Sequence, residues 1–273
     1  MHAADPKQAA RKAEASPTVR RFARAGYVAN GVVHVLIGVI VLVIATGGDA
    51  SSDQSGAFMA IASAPLGFVA LWALAICLWA LGIWHFFEGL LVRNGEGDAA
   101  SQAKKWGRRA SEWGQAFVFM ALGAVAASVA LGARANGEAA AEGASREALS
   151  IPGGGVVLGL VGLGVGIGGV AFIVMGVLRS FRKKMSIPSG TLGVTVTALG
   201  VAGFIAKGVA LAIVGVLLVV AAVSGDAAVA GGLDGAIQAL LGVAYGTWLV
   251  GTVGFGFIAY GVFCMFRARF ARL

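Results

Sequence analysis

Apolar residues fall into six long runs along the chain, at 28–45, 66–91, 117–133, 156–178, 192–223 and 243–266. Most of these runs reach or exceed the roughly 20 residues that an α-helix needs to cross about 30 Å of hydrocarbon. They are apolar on every face, whereas a membrane β-barrel would show alternating apolar and polar residues. The pattern therefore predicts an all-α integral membrane protein with six transmembrane helices. The fifth run is long enough to be either one straight helix or a helix broken around Gly200 and Gly203.

Composition supports this prediction and excludes a water-soluble fold. Of the 273 residues, 58% are hydrophobic and only 12% are charged, whereas about a quarter of the residues of a soluble protein are charged. The two cysteines, Cys77 and Cys264, lie inside apolar runs, and neither is near a second cysteine or a histidine cluster. We expect buried, reduced thiols, no metal site and no cofactor.

Basic residues alternate with the predicted spans. All but three of the 21 lysines and arginines lie before the first span, between the second and third, between the fourth and fifth, or after the sixth. By the positive-inside rule, both termini are cytoplasmic. The net charge of +8 is then explained by contact with anionic phospholipid at the cytoplasmic rim, so we expect no nucleic acid partner.

A unit of two spans recurs three times. The segment 25–31 matches 202–208, and the match continues from Gly38 to Gly215, with Gly123 in that place in the third span. In the second span of each unit, two glycines recur with the same separation: Gly67 and Gly82, Gly154 and Gly169, Gly246 and Gly261. We predict a basic tail at 1–24, repeats at 25–94, 106–183 and 190–273, and helix packing through these nine glycines. Because each unit has an even number of spans, the repeats are parallel and are expected to surround a pseudo-threefold axis along the membrane normal.

The start of the third repeat, Gly203, Phe204, Lys207 and Gly208, resembles the pattern that opens each repeat in the bacterial membrane protein family of domain of unknown function 1206. The first repeat keeps Gly26, Tyr27 and Gly31 but has Asn30 at the basic position. The second repeat departs further, with Ser111, Glu112, Gln115 and Ala116. The resemblance implies three two-helix transmembrane repeats in a bacterial cytoplasmic (plasma) membrane. It implies no activity, because the family's activity is unassigned.

Polar side chains recur at equivalent positions inside the spans. Asn30, Gln115 and Lys207 align across the repeats, about one helical turn inside the cytoplasmic end. His34 shares a face with Asn30, and Glu112 shares one with Gln115. If the odd-numbered spans surround the axis, these five residues form one polar cluster, with a Lys207–Glu112 ion pair. Alternatively, Lys207 reaches the interface, Glu112 lies among headgroups, and Asn30 and Gln115 hydrogen-bond between helices.

Two further patterns have alternative interpretations. His85 and Glu88, three residues apart near the end of the second span, either share a proton or lie at the interface. The fourth span is rich in glycine, with Gly162, Gly164, Gly166 and Gly168 at small-residue spacing, which favours close helix approach. We expect this span to be the most enclosed one or a dimerisation face.

Two functions remain compatible with the sequence, and neither is enzymatic, because no nucleophile–base pair or carboxylate dyad is evident. The favoured hypothesis is an accessory or scaffolding protein that packs against a larger membrane complex or a second copy of itself. The alternative is a protein that binds or passes a small ion, a proton or an anion through the polar cluster.

Overall fold

The computed structural model describes residues 16–48, 50–92 and 99–271. Most of the predicted basic tail, together with Arg93 and Arg272, lies outside these residues. The described chain contains nine α-helices and no strand. Six helices are long and apolar enough to cross a membrane: α1 (Pro17–Ala45), α3 (Gly67–Leu91), α4 (Ala99–Ala130), α6 (Gly154–Val177), α7 (Thr191–Ser224) and α9 (Gly246–Phe270). The fifth span, α7, is one continuous helix.

A short helix precedes the second span of each repeat. These helices are α2 (Gln54–Ala62), α5 (Gly137–Ser150) and α8 (Gly232–Leu241). In each repeat, one residue with a left-handed backbone conformation (positive φ) then turns the chain into the second span: Leu66, Gly153 or Tyr245. The next residue is always glycine, because a Cβ atom there would collide with a carbonyl oxygen near the end of the short helix. This turn explains why Gly67, Gly154 and Gly246 recur.

Each first span packs against the second span of another repeat, in the pairs α1 with α9, α4 with α3, and α7 with α6. The backbones come closest where small residues face each other. A Cβ atom added to Gly31 would lie 2.7 Å from the carbonyl oxygen of Gly261, and one added to Gly208 would lie 2.6 Å from that of Gly169. The other predicted packing glycines make similar contacts: Gly38 with Gly254, Gly215 with Gly162, Gly82 with Ala116, and Gly123 with Trp79 and Ala75.

Burial is uneven among the six spans. The apolar stretch of α9 is the most buried and that of α6 is the least, so the prediction that the fourth span is the most enclosed is wrong. Only one side of α6 packs against α7, and Gly164 and Gly168 face open space. Within the described residues, α1 packs against α3 and α7 against α9, but α4 and α6 of the second repeat make no comparable contact.

Candidate functional site

A group of polar side chains meets where α1, α7 and α9 converge. This mid-bundle cluster consists of Asn30, His34, Lys207, Tyr260 and Cys264. The Nδ1 atom of His34 lies 2.8 Å from the carbonyl oxygen of Asn30, one helical turn earlier. Because a carbonyl oxygen only accepts hydrogen bonds, Nδ1 carries the ring proton. The Nε2 atom is then free to accept a hydrogen bond from the ammonium of Lys207, at 3.0 Å.

Aromatic rings form the walls of this cluster. The Lys207 ammonium lies 4.5 Å from the centroid of the Tyr260 ring and 5.4 Å from that of Phe172, within the range of cation–π attraction. The His34 ring contacts Tyr260 at 4.8 Å and Phe257 at 6.0 Å. Among the described residues, no carboxylate forms a salt bridge with Lys207. The ammonium is therefore held by a neutral imidazole and by ring faces.

The mid-bundle cluster is deep in the bundle. Lys207 is about 25 Å from either end of α7 at 1.5 Å per residue, and Asn30 and His34 are both buried. The expected position, one turn inside a helix end, is wrong for two reasons. The helix α1 begins about three turns before its apolar run, and Lys207 lies near the middle of α7, which matches its apolar run closely. Lys207 points to His34 on α1 and does not extend towards a helix end.

A second polar group, the basic-end cluster, lies nearer the end of the bundle where the basic loops are found. It consists of His85 and Glu88 on α3, Glu112 on α4, and Lys184 in the short 3₁₀ turn Ser180–Lys184. Glu112 accepts a hydrogen bond from His85 Nδ1 at 2.8 Å and another from the Lys184 ammonium at 2.9 Å. Glu88 lies 3.8 Å from the same His85 nitrogen.

The predicted single cluster of five residues is thus divided. Asn30, His34 and Lys207 come together, but Glu112 pairs with Lys184 and His85, so the expected Lys207–Glu112 ion pair is not formed. Glu112 is buried and does not lie among headgroups. Gln115 donates a hydrogen bond to the carbonyl oxygen of Ser111 on its own helix.

Two side chains connect the clusters along the α1–α9 interface. The Arg267 guanidinium lies over the Tyr27 ring at 4.4 Å, and the rings of Tyr27 and His85 are perpendicular to each other with their centroids 6.4 Å apart. Tyr27 precedes Asn30 by one turn on α1, and Arg267 follows Cys264 by one turn on α9. Asn30 in turn donates a hydrogen bond to the Cys264 sulfur at 3.5 Å. Polar groups therefore extend from the basic-end cluster to the middle of the bundle.

The opposite end of the bundle carries acidic side chains. Ser52 donates two hydrogen bonds, through its backbone N–H and its hydroxyl, to Asp234 Oδ1 at 2.9 and 2.6 Å. Asp53 caps α2 by accepting from the Gly56 N–H at 2.8 Å. Burial raises the pKa of Glu138, and the nearby carboxylates of Asp234, Glu142 and Asp53 raise it further.

No sequence pattern marks Lys184 or Arg267 as a partner of these clusters, because both reach their partners through loop geometry or helix pairing that no residue spacing encodes. The spacing of His85 and Glu88 indicates a pair, but the sequence pattern groups Glu112 with Gln115 and Lys207, and the structure places it beside His85. Tyr260 carries no sequence signal beyond its place in an apolar span.

Comparison with known proteins gives a family and no activity. The sequence model of the family described as Domain of Unknown Function (DUF1206) matches residues 25–91, 113–179 and 202–271. The chain is similar to an uncharacterized protein, YxxB, of Bacillus subtilis (strain 168), with 26% identity over 264 residues, covering 96% of this chain and 94% of that protein. No solved structure matches. The three matched segments account for most of the chain and confirm the three repeats, so the protein belongs to the Domain of Unknown Function (DUF1206) family.

Proposed function

We propose that the protein binds a transferable proton in the middle of the membrane, on the His34–Lys207 pair, and passes it along the polar groups towards its basic end. The observation that carries this proposal is the 3.0 Å contact between Lys207 Nζ and His34 Nε2. Two full positive charges this close would repel strongly in an apolar interior. The pair therefore holds one proton between two nitrogens, and imidazole releases and accepts protons readily near neutral pH.

The side chains around the His34–Lys207 pair favour proton exchange with only one end of the bundle, the basic end. Towards the basic end lie Asn30, Cys264, Tyr27 and Arg267, followed by the basic-end cluster. Towards the opposite end, the α1 side chains that face the interior are Ile37, Val41 and Ile44, which are buried in an apolar core. Release to that side requires a rearrangement, which favours controlled binding over an open pore.

A proton fits this site better than an anion does. Phe172, Tyr260 and the His34 ring surround the Lys207 ammonium, so an anion would have to displace them. A proton needs only the two nitrogens already in contact. We propose a binding and transfer role for this site and no catalytic one.

Proton flux into liposomes that contain the purified protein tests this function. With a pH-sensitive dye inside and a potassium ionophore to balance charge, the wild-type protein should equilibrate an imposed pH gradient faster than empty liposomes do. Lys207→Met and His34→Phe should each reduce this protein-dependent flux at least about tenfold. Lys183→Met, which removes an exposed lysine at the basic end, is the matched control and should leave the flux unchanged. Equal flux in Lys207→Met and wild type would overturn the proposal.

We also propose that the three repeats surround an axis along the membrane normal, with both termini in the cytoplasm of a bacterium. The recurring pairs of first and second spans support the axis, although among the described residues the two spans of the second repeat make little contact with each other. The basic residues at one end and the acidic residues at the other support the orientation.

Anionic phospholipid is the proposed partner at the basic end. A groove of about 550 Å³ lies there, lined by Arg179, Arg182, Ser189 and Thr197 and by apolar side chains of α7 such as Val194. Guanidinium groups suit a phosphate headgroup, and the apolar side suits an acyl chain.

An accessory or scaffolding role is a second candidate, favoured by the exposed face of α6. Gly164 and Gly168 have no neighbour within 4 Å of an added Cβ, so another helix can approach closely there. If this role holds, extraction from native membranes in a mild detergent should recover a stoichiometric complex or homo-oligomer, and Gly164→Leu should dissociate it. Recovery of a monomer from both proteins would contradict this candidate.

A further inference from the structure

The basic-end cluster combines an imidazole and two carboxylates from neighbouring helices. His85 and Glu88 share one face of α3 because they are three residues apart, and α4 brings Glu112 against them. One ligand atom from each residue, an imidazole nitrogen or a carboxylate oxygen, lies within 4.8 Å of the other two. Two of these distances, from His85 Nδ1 to Glu112 Oε2 and to Glu88 Oε2, are 2.8 and 3.8 Å.

Contrary to the expectation from the sequence that the chain has no metal site, we propose that His85, Glu88 and Glu112 bind a divalent transition-metal ion at the basic end of the bundle. Such an ion sits about 2.0–2.2 Å from each nitrogen or oxygen ligand, so its ligand atoms are about 3–4 Å apart. The observed ligand atoms, all within 4.8 Å of one another, are already close to that spacing. Solvent or protein oxygens would complete the coordination.

The charges at this site are also suited to a cation. Two carboxylates held together in a largely buried place are costly unless positive charge compensates them. In the structure, the Lys184 ammonium provides part of this compensation from one side of Glu112. A divalent ion between both carboxylates would balance their charge more completely.

A metal ion can reach the site from the side where the Glu88 and Lys184 side chains are exposed. His85 and Glu112 have side chains only 1% and 3% exposed, whereas those of Glu88 and Lys184 are 29% and 52% exposed. Lys184 belongs to a short turn and not to a span, so its ammonium can move away from Glu112. A metal ion entering here therefore competes with Lys184.

The ligand set indicates which ions bind. One imidazole nitrogen with two carboxylate oxygens suits Zn²⁺ or Mn²⁺, whereas Mg²⁺ and Ca²⁺ prefer oxygen ligands throughout and Cu⁺ prefers thiolates. Coordination by Nδ1 moves the ring proton to Nε2, which is buried without a hydrogen-bond partner among the described residues. Metal-bound histidines usually have such a partner, and losing one typically weakens metal binding about 10–100-fold, so we expect weaker binding than at a site whose histidine is held by a second hydrogen bond.

The experiment measures binding of Zn²⁺ and Mn²⁺ to the purified full-length protein after removal of metal with a chelator. Calorimetric titration should give one ion per chain. Glu88→Gln should weaken binding at least about tenfold. His85→Phe should do the same, and it keeps an aromatic ring against Phe119, on which the His85 ring stacks at a centroid distance of 5.5 Å. Glu142→Gln, at the opposite end, is the matched control and should leave the affinity unchanged.

Lys184→Met distinguishes a metal site from a purely structural ion pair. If the ammonium competes with the metal, this variant should bind several-fold more tightly than the wild type. Because Glu88 and Lys184 are partly exposed, both variants should fold even if His85→Phe does not. Absence of binding, or equal affinity in the wild type and in Glu88→Gln, would overturn the proposal.

Discussion

At the scale of single residues, Lys207 occupies a place that is costly for a lysine. A charged side chain at the centre of a transmembrane helix costs about 2.5–3.5 kcal/mol on insertion scales. The contact with His34 and the ring of Tyr260 offset part of that cost, since a desolvated cation–π contact contributes about 2 kcal/mol or more. Lys207 and His34 therefore depend on each other.

This dependence predicts a strongly non-additive pair of substitutions. His34→Leu leaves the Lys207 amine buried without its partner and should reduce the free energy of unfolding by about 1–3 kcal/mol. Adding Lys207→Met to the His34→Leu variant removes the amine that has lost its partner, and it should recover most of the lost free energy of unfolding. Denaturant unfolding of the two single variants and the double variant measures the coupling. Simple addition of the two single effects would contradict the contact.

Glu138 predicts a pH dependence of stability. Because burial and neighbouring carboxylates raise its pKa in the folded protein, folding favours the protonated form. This contribution is present at pH below the ordinary carboxyl pKa and is lost as pH rises through the raised value.

Glu138→Gln should therefore raise the melting temperature near pH 7 and lose that advantage below about pH 4. Thermal unfolding over this range measures it, with Glu147→Gln, an exposed acid on the same helix, as the control. A variant that is no more stable than wild type at pH 7 would contradict the prediction.

Part of the candidate site could be predicted from the sequence. Asn30 and His34 lie one turn apart, and the repeat alignment places Lys207 at the position of Asn30, so the sequence indicates that these three of the five predicted residues can lie together, as they do in the structure. The partners of Glu112 could not be predicted, because His85 reaches it through α3–α4 packing and Lys184 through a loop turn. Neither contact leaves a periodic signal.

At the scale of elements, the glycines determine how closely the spans approach. A Cβ atom on Gly261 would lie 2.5 Å from the carbonyl oxygen of Gly31 and 2.7 Å from Val35 Cγ2. Both distances are too short for unstrained packing. Helix association in membranes depends on such close packing, because burial of apolar surface contributes little there.

Gly261→Ala should therefore lower the free energy of unfolding by about 1–3 kcal/mol through overpacking. Gly251→Ala on the same helix adds its methyl group where nothing lies within 4 Å, and it should leave stability unchanged or slightly higher. Unfolding in detergent with increasing denaturant compares the two variants. Equal stability of both would contradict the α1–α9 contact.

The elements themselves were largely predictable. Long apolar runs correctly predicted six spans, since length and composition suffice for that. The prediction that α6 is the most enclosed span is wrong. A glycine-rich pattern shows that a neighbouring helix can approach closely, but it does not show on how many sides of α6 a neighbour is present. On α6, only the side with Gly162 and Gly169 packs against α7.

At the scale of the whole molecule, three repeats of one sequence pattern have acquired different environments. The first and third repeats contribute the mid-bundle cluster, whereas the second supplies Glu112 to the basic-end cluster and leaves α6 exposed. Internal self-comparison predicted the repeat number. In the part of the chain that the structure describes, α4 and α6 make little contact, and this difference could not be predicted because the three repeats share the same glycine spacing.

The proposed orientation predicts which ends react with a membrane-impermeant thiol reagent. Ser150→Cys, at the end of α5, should be labelled in spheroplasts, whose outer layers have been removed and whose cytoplasmic membrane is intact. Ser189→Cys, before α7, should be labelled only after the membrane is permeabilised. The protein with its native cysteines alone is the control for background labelling. The reverse pattern would contradict cytoplasmic termini.

The central claim is that His34 and Lys207 share one proton, and nitrogen NMR of the histidine side chains tests it most directly. The chain has three histidines, so substitution of the other two assigns the His34 signals in protein labelled with ¹⁵N-histidine. We predict a proton on Nδ1 and a hydrogen-bonded, unprotonated Nε2 in the wild type, with the Nε2 signal shifting to that of a free nitrogen in Lys207→Met. A proton on Nε2 alone, or identical His34 spectra in the wild type and the variant, would contradict the account.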